Sequence, residues 1–138
     1  MKLFVDTSAL IALADFGDAN HGPAAEYVRG LPTTVRLVTT DYIFDETVAR
    51  LRFSLGHPKT VEFGEKLMTS RVFSLVAVNA ETRQLAWELF RSYRDKRFSY
   101  TDCTSFVIMK VLRLEVALAF DRHFLQAGFR IVPQTSTP

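Results

Sequence analysis

What most constrains the fold of this chain is an alternation. Short runs rich in Val, Leu and Phe, each closed by polar residues, are separated by longer stretches with helical spacing of apolar positions. Leu3 to Val5, Val35 to Val38, Phe73 to Val78 and Val116 to Phe120 read as buried strands, and Phe129 to Val132, ahead of Pro133, reads as a fifth. The opening MKLFVDTSALIALAD also reads as a strand, interrupted by Asp6. Helical periodicity marks Ala24 to Leu31, Asp41 to Leu55, Val61 to Thr69, Glu81 to Arg94 and Ser99 to Leu112. The expected fold is therefore α/β, with a mainly parallel sheet of four to five strands flanked by helices.

Length and composition bound the rest. At 138 residues the chain is expected to form a single domain, 1–138, with Gln134 to Pro138 as a frayed tail. A lone cysteine, Cys103, excludes an internal disulfide framework and a thiolate zinc site, and fits a reducing cytoplasm. The apolar run Ala9 to Ala14 is far short of the ~20 residues that span a bilayer, so no membrane association is expected. A formal net charge of +2 is too small to argue nucleic-acid binding from totals, which leaves the placement of charges to decide.

Acids follow the strands. Asp6 comes directly after LFV, and Asp121 after ALAF. Ligands bind outside the carboxyl ends of the strands in open parallel sheets, so both carboxylates fall on the functional edge by position. The mundane role for Asp6 is a helix N-cap, worth ~1 kcal/mol. Asp102 lies three residues after Ser99 in the pattern of a capping box. In DYIFDETVARLR, Asp41 reads as the cap, and Asp45 and Glu46 flank the apolar stripe at similar angles, so helical geometry does not choose between them. An i,i+4 pair with Arg50 is the mundane role for Glu46.

Taken together these acids are costly. Two like charges ~4 Å apart repel by ~4 kcal/mol at an effective dielectric near 20, so a true cluster takes up protons or binds a cation. Oxygen-only ligands, with no Cys or HxxxH pattern, point to magnesium or manganese rather than zinc.

VDTSAL at 5–10, DYIFDETVARLR at 41–52, FSYTDCTSFVIM at 98–109, AFDRHF at 119–124 and GFRIV at 128–132 form an ordered set from Met1 to about Pro133. In order and spacing this set resembles PIN-domain proteins, in particular VapC-like toxins of bacterial and archaeal toxin-antitoxin pairs. The resemblance implies a PIN-like three-layer sandwich. It also implies an endoribonuclease dependent on Mg²⁺ or Mn²⁺, with one or two ions per site held by Asp6, Glu46, Asp102 and Asp121 as catalytic acids. It selects Glu46 over Asp45. It gives Ser8 the part of a supporting hydroxyl, and puts Arg122 and His123 where some relatives carry a further acid. A small antitoxin partner and a homodimer are implied as well. Hydrolysis by metal-activated water follows as the expected mechanism.

Arg91, Arg94, Lys96 and Arg97, interleaved with Tyr93, Phe98 and Tyr100, form a candidate RNA-binding rim. The mundane alternative is a basic helix end and solvated loop. Trp87 and most phenylalanines read as core, Cys103 as a small buried residue, and the three histidines as surface residues. Two other functions compete: a catalytically inactive PIN-like module that binds RNA or protein, and a different phosphoryl hydrolase on an α/β scaffold. The first strand continues DTS, without the DxD pair that the latter chemistry uses.

Overall fold

The computed structural model describes residues 1–134, so the expected frayed tail lies outside the described residues from Thr135 onward. Five strands form one sheet: β1 (Lys2–Val5), β2 (Arg36–Thr40), β3 (Phe73–Val76), β4 (Val116–Leu118) and β5 (Arg130–Val132). Every pairing is parallel, so the sheet is wholly rather than mainly parallel. Among the described residues seven helices flank it: α1 (Thr7–Ala14), α2 (His21–Arg29), α3 (Asp41–Ser54), α4 (His57–Thr69), α5 (Ala80–Ser92), α6 (Tyr100–Val111) and α7 (His123–Gln126). Consecutive residues Leu3, Phe4 and Val5 are all fully buried, as they must be when helices cover both faces of the central strand.

Two elements depart from the sequence reading. The opening segment is strand only to Val5. From Thr7 it is helix, because the Asp6 side chain caps the first turn by accepting from the Ser8 N–H, and the alanines and leucines that follow are good helix formers. Helix α7 is a single turn of four residues, too short to show a periodicity. The cap of α3 also shifts by one residue. Thr40 Oγ1 accepts from the Ile43 N–H at 3.1 Å, while Asp41 Oδ1 accepts from the Val78 N–H at 2.9 Å and ties the start of α3 to the chain after β3. The turn into α4 passes through Gly56 at φ +84, a left-handed conformation that favours glycine.

Strand order explains where a site can form. The sheet runs β3-β2-β1-β4-β5, so the chain moves outward from β1 in one direction, then returns to build outward from β1 in the other. The reversal lies between β1 and β4, and a crevice opens at the carboxyl ends of strands at such a switch point. Asp6 leaves β1 there, with its N–H donating to Leu118 O at 3.1 Å, and the chain beyond β4 reaches Asp121 three residues later. Beneath this edge the rings of Phe98, Phe106, Phe124 and Phe129 pack at centroid distances of 5.0 to 6.5 Å. They give the loops above them a rigid floor.

Candidate active site

Asp6, Glu46, Asp102 and Asp121 come from four separate segments and line one cavity of about 120 Å³, together with Thr7, Ser8, Arg50, Ser99 and His123. The fold brings together acids separated by up to 115 residues in sequence. Glu46 stands in the cavity wall, whereas Asp45 is exposed and outside it.

Asp6 is nearly fully buried, with 5% exposure. Its Oδ2 accepts from Ser8 Oγ at 2.9 Å and from the Ser8 N–H at 3.4 Å. Loss of hydration on burial pushes this carboxyl from 3.8 up to about 7; the Ser8 hydroxyl opposes the rise and the neighbouring Asp102 adds to it. Ser8 does two things at once: its hydroxyl donates to Asp6 and accepts from the Phe120 N–H at 3.0 Å, stitching the segment after β1 to the segment after β4.

Asp102 is both cap and cavity wall. The full capping box is present: Ser99 Oγ accepts from the Asp102 N–H, and Asp102 Oδ2 accepts from the Ser99 N–H, each at 2.9 Å. The capping reading of the sequence and the functional reading therefore do not compete. His123 Nδ1 also meets Oδ2, at 2.7 Å. Burial holds the Asp102 carboxyl above its ordinary value, opposed by its bond from Ser99 and by His123.

His123 is the site residue that sequence reasoning placed on the surface. Its Nδ1 lies 2.7 Å from Asp102 Oδ2 and 3.2 Å from Asp121 Oδ1, so one ring nitrogen stands between two acids, and the His123 backbone N–H donates to Asp121 Oδ1 at 2.8 Å. The available signal was its place two residues after Asp121. Arg50 was the other understated neighbour, 3.9 Å from Glu46 and mostly exposed. Among the described residues, no three His, Cys, Asp or Glu side chains converge on one point as a ready-made metal cage; the acids line the walls of a shared cavity.

The rim fares differently. Arg91, Arg94, Lys96 and Arg97 do not line the cavity, and Lys96 is held by Asp95 at 3.1 Å. Phe98 is 5% exposed, sandwiched among Tyr93, Phe106 and His123, so it is floor rather than a stacking surface. Trp87, read as core, is instead half exposed. Cys103 is buried, and burial pushes its thiol up to about 11, away from the thiolate form at neutral pH.

Comparison with known proteins gives consistent matches. A profile of the PIN domain matches residues 3–130. The 23S rRNA-specific endonuclease VapC20 of Mycobacterium tuberculosis is 34% identical over 127 residues, covering 92% of this chain and 95% of the relative. A VapC ribonuclease of Archaeoglobus fulgidus is 31% identical, covering 90% of this chain and 80% of the relative. The crystal structure of M. tuberculosis VapC20, described as a sarcin-ricin loop cleaving toxin, superposes with a TM-score of 0.86 at 33% identity, covering 92% of this chain and 95% of that one. VapBC2 of Rickettsia felis superposes at 0.72 with 7% identity over 95% and 97% of the two chains, a likeness of fold alone.

Proposed function

The chain belongs to the PIN-domain family, and from that premise we propose that it is a divalent-metal-dependent endoribonuclease, the toxin of a toxin-antitoxin pair, that hydrolyses RNA phosphodiester bonds. The observation that carries this reading is the meeting of Asp6, Glu46, Asp102 and Asp121 around one cavity at the switch point of the sheet. The ribonuclease names of its relatives support it.

The donor set fits a hard divalent cation. It offers carboxylate oxygens with no thiolate, Asp102 raises the cost of ionising Asp6 as Asp121 does that of Asp102, and Thr7 lines the same cavity with its buried Oγ1 lacking any partner among the described residues. Asp6, Glu46 and Asp102 would hold the first ion, and Asp121 would complete that shell or help to hold a second. When bound, Mg²⁺ or Mn²⁺ supplies positive charge for the phosphoryl oxygens and lowers the pKa of water.

The chain's own residues prepare for this. Ser8 engages only the Oδ2 oxygen of Asp6, so Oδ1 is not taken up by that contact. His123 holds Asp102 and Asp121 in register, and the capping box fixes Asp102 against rotation. Arg50 stands at the cavity rim, where a guanidinium suits a phosphate. A homodimer in the cytoplasm, silenced by a small antitoxin, completes the proposal; the resemblance in sequence carries these parts.

The competing reading is a catalytically inactive module that binds RNA or protein through the same cavity. A single assay separates the two. Purified chain should cleave RNA with added magnesium or manganese, stop with EDTA, and lose activity in Asp6→Asn while keeping its circular dichroism spectrum. Equal cleavage by wild type and Asp6→Asn would sink the enzyme reading.

A further inference from the structure

Helix α5 carries a stripe that the catalytic cavity does not use. Arg83, Trp87 and Phe90 are spaced i, i+4 and i+7 and share one face of the helix, and the exposed Arg94 follows the C-cap Tyr93 just outside it. Thr82 and Ala86, the buried residues of α5, lie about a quarter turn away, and the acids Glu81 and Glu88 about 140° away, at 100° per residue. The stripe is thus exposed, cationic and aromatic. Among the described residues neither arginine is within ion-pair distance of a carboxylate, and Arg83 is steadied by donating one guanidinium N–H to Val78 O at 3.0 Å, its charge left uncompensated.

The aromatic part continues toward the cavity. Trp87, 50% exposed, stacks on Phe90 at 5.7 Å and 23°, and meets Tyr100 edge-on at 6.3 Å. Tyr100 lies 6.2 Å from Tyr42, and its hydroxyl donates to Arg83 O at 3.1 Å, which fixes α6 against α5. Tyr100 follows the cavity-lining Ser99, and Tyr42 precedes the cavity-lining Glu46 by one helical turn.

We propose that Trp87, Phe90, Tyr100 and Tyr42 form a stacking track for the unpaired bases of an RNA strand, with Arg83 and Arg94 on its phosphates, leading that strand into the carboxylate cavity. This deepens the ribonuclease reading and rests on it. Aromatic faces accept any base and arginines track the backbone, the combination that single-stranded nucleic acid requires. A second copy of the chain fits less well. An isologous contact sets the same patch against itself, bringing two uncompensated arginines per chain toward their like.

The chain contains one tryptophan, so emission excited at the red edge of the absorption band, where tyrosine does not absorb, reports on Trp87 alone. Full-length protein in EDTA, where no cleavage occurs, is titrated with an unstructured oligouridylate bearing a fluorescent label. Saturable quenching of Trp87 in step with the label's anisotropy is expected, without quenching by a duplex of the same length. Trp87→Ala should weaken binding about tenfold and raise KM for single-stranded substrate, while Trp87→Phe, which keeps an aromatic face, restores most of the affinity. Oligouridylate binding with Trp87 emission unmoved, and with equal affinity for Trp87→Ala, overturns the track and leaves the ribonuclease reading standing. An emission shift with protein concentration in the absence of RNA, matched by a doubled sedimentation mass, overturns it by assigning the face to a second copy. Failure of the wild type to bind or cleave any RNA removes the ribonuclease reading and the track together.

Discussion

Replacing Asp6 with Asn should abolish a pH dependence of folding that the buried carboxyl imposes. The Asp6 carboxyl titrates at about 7 in the folded chain against 3.8 when solvated. Between these values the native state holds a proton that the unfolded chain releases, so stability is full below 3.8 and falls as pH rises toward 7. At about 1.4 kcal/mol per tenfold, the span is worth about 4 kcal/mol as a ceiling, because Asp102 shares the repulsion. That is a large part of the ~5 to 15 kcal/mol that holds a domain folded. The assay is urea unfolding followed by far-ultraviolet circular dichroism from pH 4 to pH 8 in EDTA. Wild type should lose stability across the window; Asp6→Asn should lose much less and be the more stable protein at pH 8. Added magnesium or manganese at pH 8 should raise wild type and leave Asp6→Asn nearly unmoved, since only a ligand of the native state stabilises it. Parallel pH curves for the two proteins, or a wild type that gains stability with rising pH, would refute the reasoning.

Three further outcomes follow from the same geometry. Ser8→Ala removes the donor to Asp6 and leaves the Phe120 N–H without its acceptor, and should cost about 1 to 3 kcal/mol in urea unfolding. Glu46→Gln should lower RNA cleavage by at least about tenfold, whereas Asp45→Asn, on the exposed side of the same helix, should cleave at the wild-type rate. His123→Ala frees Asp102 and Asp121 from their shared nitrogen, and should raise the manganese concentration for half-maximal binding by about 10 to 100 fold in calorimetric titration, with the far-ultraviolet spectrum retained.

The fold was largely legible because its strands are short, apolar and bounded by polar residues, and because burial on both faces of the inner strands leaves little room for another register. Leu3 to Val5 and Val116 to Leu118 show this most plainly. Strand β3, read as buried, instead lies at the sheet edge with Leu75 exposed. The missed elements had reasons in their chemistry. Residues Ala9 to Ala14 form an almost unbroken apolar segment, which a buried strand and a buried helix present alike, and only the Asp6 cap distinguishes them. Helix α7 spans four residues and has no period to detect. Strand order is absent from local pattern altogether. The sequence announces alternation but does not say that β4 returns to the other side of β1, and that return creates the crevice.

The acids differ in how far local reasoning reaches them. Asp6 and Asp121 are found by one rule, because a polar residue directly after a buried parallel strand stands at the sheet edge. Asp102 satisfies a capping box so completely that its second role is invisible until His123 is seen on the same oxygen. Glu46 and Asp45 flank one stripe of α3, and which of them faces the cavity depends on how α3 sits against the rest of the fold, a tertiary fact. Trp87 shows the opposite error. A large aromatic at helical spacing is usually core, yet α5 buries Thr82 and Ala86 and turns the indole outward. A helix that packs through Thr82, Ala86 and Leu89 and turns its largest ring outward leaves apolar surface in water, a cost that a stacked base would offset.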